Sequence, residues 1–99
     1  MKRWVAVSAD LRGVDSHGVA RLPGYVRLQE FGRLNPAPNV RILHETPSTA
    51  VLDGDAGLGL VVAPKAMEIA LEKAQTAGTG WVAVQNSNHF GICGYHALR

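Results

Sequence analysis

Apolar positions recur with a helical period over one long stretch of this chain. Alanine and methionine return at steps of three and four between Ala63 and Ala77. A polar stripe lies on the opposite side, formed by Lys65, Glu68, Glu72 and Thr76. This spacing predicts an amphipathic helix over about residues 60–77. Pro64 is expected in its first turn, where no amide hydrogen is needed, and Gly78 is placed to end it.

Short runs of apolar and β-branched residues predict three strands. They cover residues 40–44, 49–52 and 81–84, and the first two are separated by the turn at 45–48. The next stretch, residues 53–59, is rich in glycine and predicts a loop.

The remaining pattern predicts further helices. Residues 22–31 form a helix with Pro23 in its first turn. Its expected core-facing residues are Leu22, Tyr25, Val26 and Phe31. Residues 3–11 fit either a short strand or the last turns of a helix, and residues 91–99 the start of another helix. The order of helix, two strands, helix, strand and helix start predicts a mixed α/β fold.

Composition narrows the class of protein. The chain has 99 residues, 46% of them hydrophobic and 18% charged, which favours a folded globular chain of one domain or part of one. The net charge is +2 and the arginines are scattered, so nucleic-acid binding has little support. Cys93 is the single cysteine and excludes an intrachain disulfide. The apolar runs are too short for a signal peptide or a membrane span, and a cytoplasmic location is expected.

A polar segment near the N-terminus combines histidine, serine and arginine. Ser16 and His17 are followed by Arg21, and on a helix a spacing of four places His17 and Arg21 on one face. An imidazole beside a guanidinium suits a small 2-oxo or 2-hydroxy acid, because one group serves the carbonyl oxygen and the other the carboxylate. The competing interpretation makes Ser16 a helix cap and Arg21 a solvated surface residue.

A second polar segment follows the predicted strand at 81–84. His89 is flanked by Asn86, Asn88 and Phe90. Polar loops at strand ends commonly bind ligands in α/β folds. A turn held by hydrogen bonds from the asparagines is the equally weighted alternative.

Other candidate motifs give weaker support for a functional site. Residues 57–59 (Gly-Leu-Gly) lack the third glycine and the Gly-Lys-Ser/Thr of phosphate loops, so a flexible turn is favoured. His44 is expected to be structural, and His96 has no acidic partner nearby, so no metal site is predicted. Cys93 is expected to be a small buried residue rather than a nucleophile.

Three ordered stretches resemble a known enzyme family. Residues 9–25, which contain Asp15-Ser16-His17-Gly18, strongly resemble the type 2 malate/L-lactate dehydrogenases. That family includes ureidoglycolate, sulfolactate and diketogulonate dehydrogenases and the piperideine-2-carboxylate reductases. Residues 51–59 and 82–95 are similar to two further signatures of the same family.

The resemblance implies an NAD- or NADP-dependent oxidoreductase with the family's own non-Rossmann fold, acting on a small 2-hydroxy or 2-oxo acid as a homodimer. Ser16 and His17 match the family's catalytic pair, and Arg21 its carboxylate-binding arginine. The implied cofactor-binding residues are His89, Phe90, Gly91, Ile92 and Cys93. Some members use the histidine matching His89 as general acid or base, so the resemblance leaves that role open between His17 and His89.

Family chains are much longer than this one. Residues 1–99 are therefore expected to form a single partial domain, the N-terminal substrate region of a dehydrogenase. Most of the nucleotide-binding domain, and the aspartate that completes the family's serine–histidine relay, would lie outside it. The alternative is a catalytically inactive fragment that serves as a dimerisation or binding module. Binding of NADH or NADPH distinguishes the two.

Overall fold

The computed structural model describes the backbone of residues 2–98 and the side chains of residues 4–98. Met1 and Arg99 lie outside the described residues, and with Arg99 the last position of the helix start predicted at 91–99. Helix α1 spans Lys2–Leu11, which decides between the strand and the helix expected there. Two 3-10 turns follow at Asp15–His17 and Val19–Arg21.

The remaining elements follow the predicted order, which confirms the mixed α/β class. They are α2 (Leu22–Glu30), β1 (Arg41–Glu45), β2 (Thr49–Gly57), α3 (Gly59–Ala77), β3 (Trp81–Ser87) and α4 (Cys93–Ala97). The sheet has the order β1-β2-β3, with β1 antiparallel and β3 parallel to β2. Helix α3 makes the crossover that a parallel pair requires.

The core lies around the start of α3, which packs against both α1 and β2. Val5, Leu52 and Val62 are its largest fully buried side chains. Gly91 is buried against Val5 and Leu60, so the loop after β3 is anchored on this core.

The predicted core face of α2 is wrong. Leu22 and Val26 are about half exposed and Phe31 more so, and none of the helix's residues is fully buried. Tyr25 is half-buried. The reason is position: α2 packs against the second 3-10 turn at the margin of the fold, and no sheet or helix among the described elements covers its apolar side.

The predicted loop at 53–59 is also wrong, because β2 continues through Gly57. The Asp53 carboxylate accepts the Asp55 amide and the Asn86 side-chain amide, both through Oδ1. Asp55 and Ala56 adopt positive φ, and the register with β3 shifts there before Gly57 pairs with Ser87. A bulge of this kind bends a strand without ending it.

Helix α3 begins earlier than predicted, at Gly59, so Pro64 lies in its second turn rather than its first. A proline there removes one amide hydrogen bond, and the buried ring at this position offsets part of that loss. No helix within residues 2–98 has both the length and the apolarity that a membrane crossing requires.

Candidate functional site

The first histidine segment, residues 15–21, is built from two 3-10 turns that meet at Gly18. His17 ends the first turn and Arg21 ends the second, so the two side chains do not share one helical face, as their spacing would allow on a continuous helix. Ser16 is not a cap either: its hydroxyl lies 2.9 Å from His17 Nδ1. Arg21 folds back and donates from Nε to the Ser16 carbonyl oxygen at 2.7 Å. This bond, and not a helical face, holds the guanidinium against the backbone of the residue before His17.

The second histidine segment, residues 86–91, begins in the last two residues of β3, which ends at Ser87. The Asn88 side-chain amide donates to the Ala56 carbonyl oxygen at 2.9 Å and ties the segment to the bulged end of β2. A Cβ on Gly59 would collide with the backbone of Asn88 and Phe90. The Gly-Leu-Gly stretch therefore allows α3 to start directly against this segment. Its interpretation as a flexible turn is wrong, because Gly57 ends β2 and Gly59 begins α3.

The two histidine segments meet in space. The ring centroids of His17 and His89 are 5.4 Å apart. Tyr25 contacts the second of these histidines, because its hydroxyl lies 2.9 Å from His89 Nδ1. Residues separated by most of the chain thus form one cluster: His17 and Arg21 from the 3-10 turns, Tyr25 from α2, and His89 from the loop after β3.

The cluster favours a neutral His89. Burial lowers the pKa of the His89 imidazole, and the positive charges of Arg21 and His17 lower it further. Burial also raises the pKa of the Tyr25 phenol, against a smaller opposing effect of Arg21. Both partners of the Tyr25–His89 hydrogen bond are therefore uncharged near neutral pH.

The proton on His89 is fixed by its neighbours. The Gly91 amide lies 3.2 Å from Nδ1, and a backbone N–H only donates. Nδ1 is consequently the acceptor, both for Gly91 and for the Tyr25 hydroxyl. Neutral His89 carries its hydrogen on Nε2, as a donor.

The residues expected to contact a cofactor continue from His89 into α4. Phe90 is 41% exposed, Gly91 is buried with a φ of 79°, and Ile92 is half-buried and precedes the helix. His96 is buried and donates from Nε2 to the Phe90 carbonyl oxygen at 2.9 Å. Cys93 is exposed, so its prediction as a buried residue is wrong. It opens α4 and faces a groove instead of the core.

That groove is open, apolar and about 640 Å³ in volume. It runs between α3, β3 and the start of α4, and Phe90 and Cys93 lie on its wall. Neither His17 nor Arg21 lines it, and none of its described lining residues is a lysine or an arginine. The apolar face predicted for α3, including Met67, borders this groove.

Tyr25 is the cluster member that the sequence did not identify. The hydrophobic pattern of 22–31 assigned its ring to the core, and the His89 partner lies 64 residues away. One local signal existed: Tyr25 follows Arg21 by four residues, a spacing that suits neighbours on one helical face. Within residues 2–98, no group of three His, Cys, Asp or Glu is placed to hold a metal ion.

Comparison with known proteins shows the family to which this chain is similar. The family described as malate/L-lactate dehydrogenase matches residues 4–99. L-sulfolactate dehydrogenase of Methanocaldococcus jannaschii is 53% identical over 93 residues, which are 94% of this chain and 27% of that protein. Its solved structure has a TM-score of 0.93 at 52% identity and covers 95% of this chain and 27% of that one.

Two further relatives differ in their named activity. Malate dehydrogenase of Pyrococcus abyssi is 55% identical over 92 residues, 93% of this chain and 25% of that protein. Ureidoglycolate dehydrogenase (NAD(+)) of Escherichia coli O157:H7 is 35% identical over 91 residues, 92% of this chain and 26% of that protein. The chain thus spans about a quarter of the length of these relatives, and it belongs to the malate/L-lactate dehydrogenase family.

Proposed function

We propose that this chain forms the N-terminal substrate region of a dehydrogenase that interconverts a small 2-hydroxy acid and its 2-oxo acid with NAD or NADP. The observation that carries the proposal is the meeting of His17 and His89, at 5.4 Å between ring centroids, beside the Arg21 guanidinium. Proton transfer and carboxylate binding then occur within one small site. Because the chain spans 27% of its M. jannaschii relative, turnover is proposed for the whole protein.

His17 is the general acid and base in this proposal. Its Nδ1 pairs with the Ser16 hydroxyl, which both donates and accepts hydrogen bonds. Neutral and protonated His17 therefore keep the same partner, and the proton moves at Nε2. In reduction Nε2 gives its proton to the carbonyl oxygen, and in oxidation it takes the hydroxyl proton.

His89 is suited to a different task. A backbone amide occupies its Nδ1, so protonating that nitrogen would break the Gly91 bond. Its low pKa works in the same direction. His89 therefore acts as a neutral donor from Nε2, toward the substrate oxygen or the carboxamide of the cofactor.

Arg21 holds the substrate carboxylate. Its Nε bond to the Ser16 carbonyl fixes the plane of the guanidinium. Within residues 4–98, no hydrogen bond engages its two terminal nitrogens, and these suit a two-point pair with a carboxylate. The pairing determines which face of the α-carbon is presented for transfer.

The residues after His89 fit the nicotinamide end of a cofactor. Phe90 and Cys93 lie on an apolar groove wall that suits a flat aromatic ring, whereas the described lining residues include no lysine or arginine to pair with phosphates. When bound, nicotinamide supplies or accepts the hydride. NAD(+) in the name of the ureidoglycolate dehydrogenase relative supports this class of cofactor. A homodimer of the whole protein is part of the proposal, since exposed apolar residues such as Trp81 are typical of surfaces that interfaces bury.

The test is reduction of oxaloacetate, pyruvate and 3-sulfopyruvate by the whole protein, followed through loss of NADH or NADPH absorbance. The variant His17→Asn should lower kcat by about 10²- to 10⁴-fold, as expected for loss of a general acid. His44→Asn is the matched control, because His44 is exposed on β1. Turnover that is absent with every acid, or unaffected by His17→Asn, would refute the proposal and favour a non-catalytic binding module.

A further inference from the structure

The side chain of Asp10 reaches from α1 into the first histidine segment. Its Oδ2 accepts a hydrogen bond from the Val19 amide at 3.0 Å. Gly18 lies against the same carboxylate, and a Cβ at that position would collide with the Asp10 oxygens. The carboxylate therefore sits on the junction between the two 3-10 turns.

No side chain within the segment supplies this contact. The residue before the second 3-10 turn is Gly18, which has no side chain, and no side chain caps the turn from within. A carboxylate on a first-turn amide is a favourable, charge-assisted arrangement. At the end of α1 the same negative charge faces the unfavourable end of the helix dipole. Asp10 thus stabilises the segment that it contacts rather than its own helix.

We propose that Asp10 is a positioning residue for the dehydrogenase site, which rests on the function proposed above. Gly18 separates His17 from Arg21, and its carbonyl oxygen accepts the Arg21 amide at 3.1 Å. By holding the Val19 amide and packing on Gly18, Asp10 sets the direction in which the chain turns between these two side chains. It fixes the distance between the proton-transfer group and the carboxylate-binding group without contacting substrate.

The first measurement is independent of activity. In the 99-residue chain, Asp10→Ala should increase hydrogen exchange at the Val19 amide about tenfold or more, while amides in α3 keep their protection. Asp10→Asn, which retains a side-chain oxygen, should restore most of the protection. Glu30→Ala, at an exposed carboxylate of α2, should leave the Val19 amide unchanged.

The second measurement separates positioning from folding. In the whole protein, Asp10→Ala should raise KM for the 2-oxo acid and lower kcat, each about tenfold, with unchanged affinity for NADH. Asp10→Asn should recover most of both. A smaller folded fraction alone would lower the apparent kcat and leave KM unchanged. If Asp10→Ala gives that result, the proposal is overturned.

A second variant covers the case in which Asp10→Ala does not fold. Gly18→Ala displaces the carboxylate with Asp10 still present and should produce the same rise in KM. Its backbone at φ −88° is accessible to alanine, so the collision with Asp10 is the main penalty. In the Asp10→Ala background, Gly18→Ala should therefore cost much less than it does alone. Additive effects would contradict the proposal.

The two hypotheses fail in different ways. If the wild-type whole protein turns over no 2-oxo acid, the proposed function fails, while the Val19 exchange data and the double-variant comparison still decide whether Asp10 orients the segment. If turnover is normal and the Val19 amide is indifferent to Asp10, the positioning role alone is rejected.

Discussion

His17 and His89 differ in the group that faces Nδ1. A serine hydroxyl adapts to either protonation state of His17, whereas a backbone amide and a phenol both donate to His89. This difference supports the separate roles proposed for the two histidines, a question that the sequence left open. The sequence identified Ser16, His17, Arg21 and His89 through short motifs. It could not identify Tyr25, because that contact depends on tertiary packing across 64 residues.

Replacing Arg21 with lysine keeps the positive charge and removes the planar two-point grip on a carboxylate. In the whole protein we expect Arg21→Lys to lower kcat/KM for the 2-oxo acid by about 30- to 1,000-fold, with cofactor affinity nearly unchanged. Steady-state kinetics and a cofactor titration measure both quantities. Arg27→Lys, the same change on an exposed position of α2, is the control. Equal kcat/KM in wild type and Arg21→Lys would remove Arg21 from the site.

The pKa of His89 responds to the same arginine. It is lowered below 6.5 by burial first and by the Arg21 charge second. Arg21→Gln should therefore raise it, and Arg27→Gln should not. NMR titration of the ring protons measures the change. A His89 pKa that stays the same without Arg21 would show that the two side chains do not interact.

The lowered pKa of His89 also makes the stability of the fold depend on pH. It favours the fold above pH 6.5, and this contribution is lost as the pH falls through the folded-state pKa.

Among the elements, local sequence pattern predicted the order of helices and strands, but it did not predict how far β2 extends or whether α2 is buried. Helix α3 has a long periodic face, and β1 and β2 are joined by a short turn. The extension of β2 was missed because it depends on Asp53 and on pairing with β3, which follows the whole of α3. The apolar side of α2 was misjudged because a periodic pattern shows that a face is apolar and does not show what covers it.

Asp53 links the bulge in β2 to the second histidine segment. Its pKa is held low by the Asp55 amide first, then by Asn86 and Arg41. Its contribution is present above pH 3.8 and is lost as the pH falls through the lower folded-state pKa. Asp53→Ala should increase hydrogen exchange at residues 54–57 and 85–88 while the later turns of α3 stay protected. Glu72→Ala is the control on an exposed carboxylate. Unchanged exchange at 85–88 would disprove the link.

At the scale of the whole molecule, several large apolar side chains of the described residues are exposed, among them Trp81, Phe31 and Leu98. The groove of about 640 Å³ lies open along α3 and β3, and Trp81 on its wall is 74% exposed. The sequence predicted an apolar face on α3 but gave no means of telling whether another element covers it. Its relatives are about four times as long, since 27% of the M. jannaschii protein is matched.

Exposed apolar surface of this kind promotes association. The 99-residue chain in isolation should therefore self-associate, with a mass by light scattering that rises with concentration. Trp81→Lys should shift the chain toward the monomer. Trp4→Lys is the matched control, because Trp4 is exposed on α1 and does not line the groove. A monomer at all concentrations, or equal effects of the two variants, would show that the groove does not drive association.

A single site shared by the two histidine segments is best tested by an NMR titration of this chain with oxamate, an unreactive analogue of a 2-oxo acid. The ring signals of His17 and His89 and the Nε signal of Arg21 should shift together with one dissociation constant. These shifts should vanish in Arg21→Lys and persist in Arg27→Lys. Separate dissociation constants for the two histidines, or equal binding by Arg21→Lys, would contradict a single site shared by the two histidine segments.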